Sequence, residues 1–130
     1  MKNLRMTNFN IIITQEFLDS LLPPEKSDQF FDALYGDAGE GAYDIRLVPV
    51  SFSDARIVLA FHLSQRPGKC LVCSLTYGLP TVFSRHPLIN INGMVEKIKN
   101  AGVPVSSWEL GNTKEENAAL HIIPLYLNLA

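Results

Sequence analysis

The sequence is poor in the residues that usually announce a chemistry. In 130 residues it holds two cysteines, one tryptophan and three histidines, and only 18% of it is charged. Eleven basic residues against thirteen acidic ones leave a formal net charge of −2, and no run of lysine or arginine forms a stripe able to track phosphates, which argues against nucleic acid. The longest apolar runs, residues 11–13 and 57–61, fall far short of the roughly 20 residues that a bilayer-crossing helix requires. Lys2 and Arg5 are followed by the polar Thr7, Asn8 and Asn10 with no small-residue cleavage site. The expectation is therefore a protein without a signal peptide, held in the cytoplasm and away from the membrane.

Glycine-rich and metal-binding signatures are missing as well. Residues 36–41 match neither glycine-rich nucleotide fingerprint, and Asp37 and Glu40 would repel a phosphate. The same stretch is too short and too poor in side-chain oxygens for a calcium loop, so it reads as a flexible connector. Cys70 and Cys73 form a Cys-x-x-Cys, but residues 70–75 read as a strand. Positions three apart on a strand lie about 10 Å apart on opposite faces, beyond the roughly 7 Å Cα separation a disulfide tolerates. No His-x(3–5)-His pair among His62, His86 and His121 completes a zinc set. Buried thiols, with no metal and no cofactor, are the reading.

What the chain does have is a 47% hydrophobic composition and enough length for one core, burying roughly 65–70% of its unfolded surface. Its charge is lean enough to suggest that some surface meets a partner. Residues 9–13 suggest a short strand. Thr14 is then the N-cap of a helix carrying Phe17, Leu18, Leu21 and Leu22, which Pro23 and Pro24 end. A second helix carries Phe30, Phe31, Leu34 and Tyr35 and stops at Gly36. Strands follow at 43–52, 56–64 and 70–77, joined as hairpins through Ser53 and Asp54 and through residues 66–69, with a further extended piece at 81–84. Residues 92–101 form an amphipathic helix ended by Gly102. Strands at 103–110 and 121–129 close the domain around a polar loop or helical turn at 111–117, and Pro124 places the last strand at an edge or a bulge. The fold expected for residues 1–130 is one α+β domain, a single antiparallel sheet of five to seven strands packed with an N-terminal helical pair and one later helix.

Strand alternation sorts the side chains onto two faces. Ile45, Leu47, Ile57, Leu59, Phe61, Leu63, Leu71, Cys73, Leu75 and Tyr77 make a core face. Arg46, Val48, Val50, Phe52, Val58, Ala60, His62, Val72, Ser74 and Thr76 make a face too apolar for open water and too polar for a core. Something must cover it, and a second copy of the chain is the commonest solution.

On that face His62 is the sharpest chemical candidate, with Arg46, Ser74 and Thr76 as neighbours across the ladder. A Ser-His couple there lacks the orienting third group and oxyanion hole that nucleophilic catalysis needs, so no catalytic residue is assigned and a hydrogen-bonded interface histidine is the plainer reading. Arg85 and His86 precede a helix whose amides would help hold an anion, although a solvated turn explains them equally simply. Arg66 is accounted for by its hairpin turn, and Trp108 by packing. Two functions remain. One is a non-catalytic binding or assembly module, homodimeric through the half-polar face, with a further protein partner possible. The other is a binder of an anionic metabolite, or a small enzyme, with a pocket near His62.

Overall fold

The computed structural model describes residues 9, 11–23, 25–35, 43–67, 79–85 and 89–130. Their order is α1 (Gln15–Leu21), α2 (Glu25–Tyr35), β1 (Tyr43–Phe52), β2 (Arg56–Gln65), α3 (Leu79–Arg85), α4 (Ile91–Asn100), β3 (Val105–Leu110), β4 (Lys114–Asn117) and β5 (Leu120–Leu129). The architecture is α+β, an N-terminal helix pair and later helices packed on one antiparallel sheet of five strands. The sheet runs β1-β2-β5-β3, with β4 also on β5. Among the described residues no helix is long and apolar enough to cross a membrane.

The helix ends follow from local chemistry. Thr14 accepts a hydrogen bond from the Phe17 amide at 3.1 Å and starts α1. Asn90 does the same for the Gly93 amide at 3.2 Å and starts α4, while Gly102 ends α4 in the left-handed region at φ 115°. Residues 9, 11 and 12 are helical, not extended, with the Ile13 amide bonded to the Phe9 carbonyl at 2.8 Å. Their buried apolar groups, Phe9 and Ile13, lie four apart, a helical spacing that a short run of isoleucines disguises.

Residues 79–85 are helical too, where an extended piece was expected at 81–84. Here Phe83 enters the core edge-on to Phe30 and Phe61, at ring-centroid distances of 5.6 and 5.2 Å. That packing outweighs the β propensity of Thr81 and Val82.

Both sides of β2 are occupied, by β1 and by β5 over their length, so the hairpin partner expected for it at residues 70–77 is replaced by β5. Residues 70–77, like the connector at 36–41, lie outside the described residues. The stretch expected as a loop at 111–117 contains β4, which returns as a hairpin onto β5 through a turn where Asn117 accepts from the Ala119 amide at 2.8 Å.

The last strand, β5, is central rather than an edge. Pro124 is tolerated because β4 pairs with residues 120–122 and β3 with residues 125–129, so the missing amide falls in the gap between them. The Pro124 carbonyl, on that same side, is taken by the Gly111 amide at 2.9 Å.

Among the described residues β1 is an edge strand, and two of its outward backbone groups are bonded to side chains of the N-terminal helices. The Ile45 amide donates to the hydroxyl of the fully buried Ser27 at 2.8 Å, and the Leu47 carbonyl accepts from the Gln15 amide at 2.8 Å. Pro49, next on that side, has no donor to offer. Replacing Ser27 by alanine strands a buried amide, and urea unfolding is expected to show a loss of about 1–3 kcal/mol. An unchanged midpoint would mean that the bond is not made.

Candidate functional site

Residues paired directly across an antiparallel ladder share a face, so the register maps the sheet row by row. Core rows are Leu47-Phe61-Ile123, with Ile57 and Leu127 further along, and every one of these side chains is fully buried. The other face reads, in successive rows, Arg46-His62-Ile122-Lys114, then Val48-Ala60-Pro124, then Ser51-Val58-Tyr126-Glu109, then Arg56-Asn128-Ser107. The buried members of α1, α2, α3 and α4 all belong to the cluster on the core face, and among the described residues no helix covers the second one.

One residue assigned to the second face is on the first. The register shifts between Pro49 and Ser51, so a bulge sets two residues of β1 against Val58 and inverts the alternation beyond it. Phe52 thereby pairs with Ile57 and packs on the core. The same bulge pushes Val50 outward to 58% exposure beside the open face.

His62 is half-buried in the first of these rows, at the floor of a shallow depression of about 220 Å³ shared with Val50, Val58, Ala60, Tyr126, Lys114 and Glu116. Burial pushes its pKa below the ordinary histidine value; the Glu116 carboxylate opposes that shift and the Arg46 guanidinium reinforces it. Among the described residues no carboxylate or hydroxyl hydrogen-bonds the imidazole.

Arg46 sits opposite His62 in register, but its guanidinium turns to the β1 edge. It makes two bonds to the Asp19 carboxylate, at 3.1 and 3.0 Å, and Gln15 steadies the same carboxylate at 3.0 Å. The Arg46 bond, followed by that of Gln15, holds Asp19 below the usual carboxylate range. A groove of about 340 Å³ lies along that edge, bordered by Asp19, Asp44 and Arg46. Its charges are matched internally, since Arg66 binds Asp44 at 3.0 Å and Asp28 at 2.7 Å. Arg66 is thus an anchor between β2, β1 and α2.

Arg85 is exposed in the last turn of α3, and the first amides of α4 that were to share an anion with it are capped by Asn90. Ser74, Thr76 and His86 lie outside the described residues. Trp108 packs on the core and donates its indole N–H to Asn92 at 2.8 Å, tying β3 to α4. Arg56 stacks 4.8 Å above the Tyr126 ring and reaches Asn128 and Glu109, which closes the open face at its far end.

Sequence reading passed over the members of this face that β5 supplies, Ile122, Pro124, Tyr126 and Asn128, and those that β3 and β4 add beside them. The signal was present as alternation in 120–129, but without the register nothing connected it to β2. Comparison with protein-family models, with curated proteins and with solved structures finds no match to this chain.

Proposed function

We propose that the chain is a non-catalytic assembly module of the cytoplasm that forms a homodimer through the open face of its sheet. The observation that carries this reading is the distribution of polarity on that face. The two central rows carry Val48, Ala60, Pro124, Val58 and Tyr126, flanked in the second of them by Ser51 and Glu109, while the first row brings Arg46 and Lys114 near Asp19 and Glu116 and the last brings Arg56 to Glu109. Such a surface is complementary to itself: an apolar centre meets an apolar centre, and a rim of both signs finds its opposite under a two-fold axis.

Size supports the same conclusion. Four strands about 4.8 Å apart and about 30 Å long offer a face of the order of the ~800 Å² per partner that stable interfaces bury. Edge-to-edge association is disfavoured, since β1 is covered by α1 and α2, and β3 and β4 are short and bulged.

The alternative, a pocket for an anionic metabolite around His62, is weakened by volume. About 220 Å³ is below the roughly 300–1,000 Å³ of ligand sites. Light scattering over a concentration series tests the proposal. A mass approaching twice 14.5 kDa supports it. A monomer at all concentrations, stabilised against heat by an anionic metabolite, would replace it with the pocket.

A further inference from the structure

We propose that association through the open face is controlled by the protonation of His62, the dimer forming when the imidazole is neutral and separating as the pH falls. This rests on the dimer reading and adds its regulation. His62 stands one row from the apolar centre, across from Arg46 on β1 and Ile122 on β5, with Lys114 and Glu116 of β4 beyond. Ala60 and Pro124 are already buried in the single chain, and any packing of two sheets over the half-buried Val58, Ile122 and Tyr126 around them also covers the depression in which His62 lies. An in-plane axis along the strands sets the row of His62 against its own copy, and one across the strands between the two central rows sets it against the row of Arg56 and Asn128.

Neither arrangement has a place for a new charge. With His62 neutral, Arg46 is paired with Asp19, and the depression holds one cation, Lys114, and one anion, Glu116. Protonation adds one further positive charge per protomer. It is then opposed by the like charge it faces in either arrangement and by desolvation.

The single chain already shows the direction, since burial depresses the His62 pKa despite the nearby Glu116. A second copy removes the remaining water and depresses it further. Separated protomers therefore bind protons more readily than the dimer, and up to two protons are taken up per dimer that dissociates. The affinity is full above the ordinary histidine pKa of about 6.5 and declines below it.

Sedimentation equilibrium on the wild type, His62→Gln and His62→Asn at about pH 7.5 and about pH 5 tests this, because few other groups titrate in that interval. The wild-type dissociation constant is expected to rise at least about tenfold between the two, and those of the variants by less than about twofold. A wild-type dimer equally tight at both values overturns the proposal, as do variants that respond as strongly as the wild type. A wild type that stays monomeric at the higher pH overturns the dimer itself. Should the variants not fold, NMR titration of the His62 ring decides. A pKa that rises on dilution supports the switch, and one independent of concentration rules it out.

Discussion

Replacement of Phe83 by alanine is expected to cost about 3–5 kcal/mol of folding stability. The ring is fully buried and meets Phe30 of α2 and Phe61 of β2 edge-on. It is therefore the point at which α3, α2 and the sheet are held together. Two edge-to-face pairs contribute about 0.5–1.5 kcal/mol each beyond the area they bury. Urea denaturation followed by far-UV circular dichroism measures the loss. A cost below about 1 kcal/mol would place Phe83 at the surface, as an extended segment at 81–84 would allow, and would contradict the helix.

The Val50→Asp variant is expected to fold as the wild type does and to dimerise at least about a hundredfold less tightly. Val50 is 58% exposed on the bulge, so in the single chain the carboxylate stays in water and stability should change by no more than about 0.5 kcal/mol. In a two-fold dimer the substitution enters twice, and each carboxylate must leave water against Val58 and Tyr126 or their copies. Sedimentation velocity gives the affinity, and chemical denaturation of the monomer gives the control. Retention of wild-type affinity would remove this face from the interface.

The fold was legible in the sequence wherever one periodicity ran unbroken. Thr14, the apolar positions of α1 and α4, Phe30 of α2, and the core alternation of β1 and β2 up to the bulge behave as their spacing implies. What escaped was decided by contacts distant in sequence. The helix at 79–85 forms because Phe83 finds Phe30 and Phe61. The central position of β5 depends on β3 and β4 stopping on either side of Pro124. Phe52 changes face because a bulge adds one residue, and a period of two carries no memory across an insertion.

The candidate site was half legible for the same reason. His62, Ala60 and Val58 were assigned to the open face from β2 alone, whereas Tyr126, Ile122 and Lys114 join it only through the pairing of β5 with β2 and β4. Arg46 lies in the expected row, yet its charge is spent on Asp19, a contact 27 residues away in sequence that no local pattern encodes.

Isotope-filtered NOE spectroscopy on an equimolar mixture of labelled and unlabelled chain reads the covering of this face most directly. The account predicts intermolecular contacts from the methyl and ring protons of Val50, Val58, Ile122 and Tyr126, made to the same set on the other protomer. Intermolecular contacts confined to the helices or to the outer edge of β3, or none at concentrations where the mass is doubled, would contradict it.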